Sequence, residues 1–233
     1  RPDAATQGSY VFQPPEPSTA SRRPAKRHKG SFRGASVDPY ENREKVYESY
    51  RLEYGQLYIL MANPDVVEIH DQPRPVTYVT PEGRPRQHTF DFRAVFRSGR
   101  RIAYALKPVR RVEASGIKTT LALIRQQSLA GFADQAVLRT ERTITRRAIH
   151  NAQTLMWARC RRNQHDVEVA AERVGWLKGA VRLRDLVQAT GLGPRGRVAV
   201  ICLIDAGVLA VEDGTWIGDD TLLFPVEPAR QAA

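Results

Sequence analysis

Cysteine is scarce in this chain. Cys160 and Cys202 are the only two, far apart and without the C-x-x-C or H-x-x-x-H spacing that a zinc site needs, so they read as reduced thiols. No apolar run approaches the roughly 20 residues that cross a bilayer, and the N-terminal residues lack the apolar stretch of a signal peptide. The expectation is an intracellular protein, cytoplasmic and nucleoid-associated, with no membrane partner. Aliphatic side chains are almost missing from residues 1–37, which are rich in Pro, Ser, Gly and base. Such a stretch cannot bury enough surface to offset the entropy of ordering, and a disordered basic tail is expected there.

What the chain has in excess is positive charge. Lys and Arg number 36 against 25 Asp and Glu, a formal net charge of +11. Binding to a polyanion releases condensed counterions, so double-stranded DNA leads as partner and an anionic membrane surface comes second. The tail holds Arg22, Arg23, Lys26, Arg27 and Lys29, a run suited to tracking phosphates or, alternatively, to keeping the protein soluble. Hydrophobic residues make up 42% of the sequence, enough for a real core. Length allows two units: residues 38–165 and 166–228, with 229–233 as a short end.

Tyr47, Tyr50, Tyr54, Leu57 and Leu60 recur at spacings of three and four behind Asp38-Pro39, which predicts an amphipathic helix over about 41–61. Strands are predicted at 66–70, 76–80, 88–96 and 101–106, separated by turn signals such as Pro81-Glu82-Gly83 and Ser98-Gly99. Helices are expected at about 115–128 and 143–160, with a strand at 135–139 between them. The second unit has a different pattern. Helices at 181–191 and 196–207 precede short strands at 208–212 and 215–217, joined by Asp213-Gly214, a strong hairpin signal. That order reads as a winged helix, with Arg195 and Arg197 at the start of its recognition helix; a small helical cap that binds nothing is the alternative.

Cleavage of a phosphodiester by a metal-dependent nuclease needs carboxylates for a divalent cation and a cation such as Lys to orient water or steady developing charge. Glu53 in the first helix, Asp91 in His-Thr-Phe-Asp-Phe and Lys107 in Ala-Leu-Lys-Pro stand in that order. The bland reading of each is a solvated acid, a strand-end residue and a lysine closing a strand before proline.

Five ordered stretches carry a resemblance: Glu48-Ser49 through Arg51-Leu52-Glu53, Asn63-Pro64-Asp65-Val66-Val67, Asp71-Gln72-Pro73, Phe90-Asp91-Phe92 and Lys107-Pro108. Together with Arg139-Thr140-Glu141 and Asn151-Ala152-Gln153-Thr154-Leu155, they resemble the N-terminal endonuclease domain of the TnsA transposon family over about residues 45–156. The resemblance implies an α+β fold, restriction-endonuclease-like at the N-terminus and winged-helix-like at the C-terminus. It implies a subunit that nicks DNA at transposon or phage ends beside a partner transposase, using Mg2+ or Mn2+ held by Asp91 and Glu53, with Lys107 positioning the nucleophile. Gln72 and His88 would have supporting roles. Two residues before Lys107 the family has an acid or amide, whereas this chain has Ala105, which cannot ligate a metal. Phe90 likewise replaces the family's proline. The fold without the chemistry, as a DNA-binding, assembly or regulatory protein acting through its winged helix, is therefore the competing expectation.

Overall fold

The computed structural model describes residues 12–22 and 32–226, which form a mixed α+β architecture with mixed sheets. Arg23, Lys26, Arg27 and Lys29, and most of the expected tail, lie outside the described residues. Part of that tail stretch is in strand: β1 (Gly34–Asp38) pairs antiparallel with β2 (Arg43–Tyr47). The helix expected from residue 41 is corrected accordingly. The Asp38 carboxylate accepts the Tyr40 N–H, Asn42 takes a left-handed φ of 47°, and the chain turns instead of coiling. A π-helical turn (Tyr50–Tyr54) then leads into α1 (Gly55–Ala62). The tyrosine spacing that suggested one helix comes from rings stacked along this path: Tyr47, Tyr50 and Tyr58 all lie against Tyr54, at centroid distances of 5.2, 4.9 and 4.6 Å.

The central sheet follows as β3 (Val66–Asp71), β6 (Phe92–Phe96), β7 (Arg101–Leu106) and β8 (Gln135–Arg139), in that spatial order. The first three are antiparallel neighbours, and β8 lies parallel to β7. Joining parallel strands requires a crossover, and α2 (Val109–Val112) and α3 (Ile117–Gln127) supply it. The expected strand over 88–96 is broken. Its first part belongs to a separate hairpin, β4 (Val76–Val79) with β5 (Pro85–His88), and the chain bends at Asp91 before β6. The Gln127 amide docks this hairpin on α3 by exchanging two hydrogen bonds, at 2.7 and 3.0 Å, with the Val79 backbone.

Alternation along β7 sends its side chains to two cores. Tyr104 and Leu106 join Leu57, Leu60, Phe92 and Met156 beneath α1 and α4 (Arg146–Arg159). Ala103 and Ala105 join Phe90, Leu121, Ile124 and Phe132 beneath α3.

The second unit comprises α5 (Gln164–Gly175), β9 (Val181–Arg182), α6 (Leu183–Thr190), α7 (Pro194–Asp205), β10 (Leu209–Val211) and β11 (Leu222–Pro225). Its sheet order is β10-β11-β9. The expected second strand of the hairpin, 215–217, is a correction: its backbone is held by a side chain. Asn151 on α4 donates to the Thr215 carbonyl at 2.8 Å and accepts the Ile217 N–H at 2.9 Å. The strand that pairs with β10 arrives only after residue 221.

Candidate functional site

Local structure first sets Glu53. Ser49 has extended backbone, and its hydroxyl accepts the Glu53 N–H, while the Glu53 carboxylate accepts the Glu48 N–H at 2.7 Å. This reciprocal cap satisfies two orphan donors at a helix start and points the carboxylate inward, leaving Glu53 only 9% exposed. Burial, and then the negative charge of Asp91, raise the Glu53 carboxyl to about 7. The two acids are therefore electrostatic neighbours.

Asp91 sits where the chain bends into β6. Its backbone N–H donates to Tyr104 O, its carbonyl accepts the Gln72 N–H, and its Oδ2 accepts the Leu106 N–H at 2.6 Å. Burial raises this carboxyl to about 6, against the opposing pull of the Leu106 N–H and the positive charges of Lys107 and Arg22. Lys107, one residue beyond β7, is thus the cation of the same locus, and it also disfavours a charge on His88. Burial and Lys107 together lower the His88 imidazole to about 4, so it is neutral near pH 7.

The structure thus brings together Glu53, Asp91 and Lys107, and it adds residues that composition could not place. Arg22 was expected to be a tail cation; its guanidinium donates through Nε to Gln72 Oε1 at 3.1 Å and pairs with Glu48 at 3.0 Å. It favours the charged forms of both Glu53 and Asp91. Residues 16–21 are tied down beside it. Glu16 exchanges backbone hydrogen bonds with Asn42 and Glu44, Ser18 donates to Asp71 Oδ2 at 2.6 Å, and Ser21 bonds the Gln72 and Pro73 carbonyls. Gln72 itself is 1% exposed and holds a φ of 40°, rare for a residue with a Cβ. Its Nε2, Asp71 Oδ1 and His88 Nε2 are buried with no hydrogen-bond partner. Buried polar atoms left unpaired cost free energy, and Asp71, Gln72 and His88 each carry one.

Ala105 is 1% exposed within the apolar layer under α3. It is a packed core residue, and a longer polar side chain there has no open space to enter. Among the described residues no group of three or more His, Cys, Asp or Glu is arranged to hold a metal ion. The oxygen donors on hand are two desolvated carboxylates and a neighbouring amide, a set that suits a hard divalent cation retaining several waters.

In the second unit, Arg195 and Arg197 lie in the first turn of α7 with Arg184 nearby, beside an open groove of about 650 Å3 that Trp157 and Val198 also line. Each arginine already faces an acid: Arg195 with Asp166, Arg197 with Asp219, Arg184 with Asp220. No helix among the described residues is long and apolar enough to cross a membrane. No protein-family model matches this chain, and no curated protein matches it.

Proposed function

We propose that this chain is a DNA-processing protein of the TnsA type, with a metal-dependent endonuclease centre at Glu53, Asp91 and Lys107 and a winged-helix unit for contacts with DNA or a partner transposase. One observation carries the reading: a helix acid, an acid at the bend into β6 and the lysine one residue beyond β7 come within electrostatic reach at one end of the central sheet, and both acids are desolvated enough to titrate near neutrality. The crossover from β7 through α3 to parallel β8 agrees with a restriction-endonuclease-like core. The order helix, strand, helix, helix, strand, strand, with the sheet order β10-β11-β9, agrees with a winged helix.

In this reading Asp91 and Glu53 hold Mg2+ or Mn2+. The cation supplies Lewis-acid polarisation of a phosphate oxygen and lowers the pKa of bound water. Lys107 steadies charge developing on the phosphate or orients the water that attacks it. The Leu106 N–H fixes one Asp91 oxygen, leaving the other for the cation.

A second reading, a nuclease fold that binds DNA without cutting it, is favoured by the burial of Ala105 at the position where the family has an acid or amide. Supercoiled plasmid incubated with Mn2+ and the protein, beside Asp91→Ala and Lys107→Ala variants, separates the two. Nicking that disappears in Asp91→Ala supports the enzyme. Intact plasmid with wild type, together with DNA binding that weakens steeply as salt rises, supports the second reading.

A further inference from the structure

The site as described is short of one oxygen donor, and the reason is local. Position 105, which would supply it in the resemblance, is closed off beneath α3. Gln72 lies in register beside Asp91, its N–H on the Asp91 carbonyl at 2.9 Å. Its side chain is almost fully buried, carries an unpartnered Nε2, and has its amide oxygen held by Arg22 Nε. The left-handed backbone that holds this amide oxygen against Arg22 is costly for a residue with a Cβ, a strain that packing alone does not explain. An amide oxygen is also the hard, neutral donor that divalent cations accept beside carboxylates. Arg22 meanwhile acts on Glu53, Asp91 and Gln72 as a cation would: it attracts both carboxylates and takes the amide oxygen.

We propose that Gln72 is the third side-chain donor of this site, its amide oxygen replacing the group absent at position 105, and that Arg22 occupies that oxygen until a divalent cation displaces it. The proposal rests on the metal-site reading above and deepens it. It has a directional consequence: the N-terminal segment that carries Arg22 and the cation compete for the same donors. Loading the site loosens the Arg22 contact, and removing Arg22 favours loading.

The test is calorimetric titration of the full chain with Mn2+ in the absence of DNA, with circular dichroism as a check of folding. Wild type, Asp91→Ala, Arg22→Ala, Gln72→Asn and Gln72→Glu are compared. Asn tolerates the left-handed backbone but shortens the amide by one methylene, whereas Glu keeps the reach and adds charge. The expected pattern is loss of binding in Asp91→Ala, about tenfold weaker binding in Gln72→Asn, and tighter binding in Gln72→Glu and Arg22→Ala. Gln72→Asn and Gln72→Glu both binding as wild type does, while Asp91→Ala loses the ion, overturns the role of Gln72 and leaves the carboxylate site standing. Unchanged or weaker binding in Arg22→Ala overturns the displacement. Wild type and Asp91→Ala alike in binding, or alike in failing to bind, overturns the site and this proposal with it. Should Gln72→Asn fail to fold, Gln72→Glu decides the point.

Discussion

Arg159 and Arg22 are both set among acids and oxygen acceptors, at opposite ends of the first unit, and their surroundings differ in completeness. At the junction between the units, Arg159 pairs with Asp205 at the end of α7, donates to the Met61 and Ala62 carbonyls that close α1 at 2.9 and 2.8 Å, and reaches the Tyr40 hydroxyl. Arg159 and Asp205 are each about 10% exposed at the side chain, and Arg159 satisfies the orphan carbonyls of a helix end. Around Arg22 the reverse holds: its own side chain is 54% exposed, its ion-pair partner Glu48 is partly exposed, burial raises the pKa of Glu53 and Asp91, both within its electrostatic reach, and the amide nitrogen of Gln72, whose oxygen it bonds, lacks a partner. A completed network holds a fold together; an uncompleted one stores free energy that a ligand can recover. The two clusters therefore set completed polarity against uncompleted polarity in one chain.

The largest expected effect is at the completed network. Arg159→Ala strands Asp205 and uncaps α1, and loss of one partner from a buried pair costs about 3–5 kcal/mol; denaturant melts should show it, and a loss below about 1 kcal/mol would break the contrast. At the uncompleted end the sign reverses. The unfolded Glu53 titrates at 4.5 and the folded one at about 7, so its contribution to stability is full below 4.5 and is lost as pH rises through 7. Asp91 behaves alike between 3.8 and about 6. His88 opposes them: with its pKa lowered from 6.5 to about 4, its contribution is full above 6.5 and is lost as pH falls. Glu53→Gln keeps the cap on the Glu48 N–H and removes only one of these limbs. Relative to wild type it should gain up to about 3 kcal/mol at pH 8 and almost nothing at pH 4, as read by thermal melts at the two pH values.

Ala105→Gln should lose about 1–3 kcal/mol without gaining Mn2+ affinity, because the amide would enter a filled apolar layer; tighter Mn2+ binding in this variant would show that the position opens onto the site after all. The smallest effect is expected in the groove of the second unit. Asp219→Ala frees Arg197 from its ion pair, and DNA affinity measured by fluorescence anisotropy should rise a few-fold, in line with the modest worth of an exposed pair. Unchanged affinity would remove Arg197 from the DNA contacts.

Much of the central sheet was legible in the chain, because β3, β7 and β8 alternate or run apolar between clear turn signals, and Asp91 and Lys107 stand at the ends of such runs. The hairpin of β1 and β2 was not, because a strand ending at Tyr47 continues directly into a helical turn and the tyrosines keep helical spacing across the join. Residues 215–217 were misread because Asp213-Gly214 announces a turn but says nothing of Asn151, 64 residues earlier, which takes the backbone bonds a strand would have used. In the site, residue types and order pointed to Glu53, Asp91 and Lys107. The strain at Gln72 and the anchoring of Arg22 arise only from tertiary contacts, although the Asp71-Gln72-Pro73 stretch marked the place.

The most direct measurement is the melting temperature at pH 8 with and without Mn2+, for wild type and Asp91→Ala. A cation that completes the carboxylate end should raise wild type by about 5 °C at saturating Mn2+, by less at pH 5 where the acids hold their protons, and leave Asp91→Ala unmoved. An equal rise in both proteins, or none in wild type, would contradict the account.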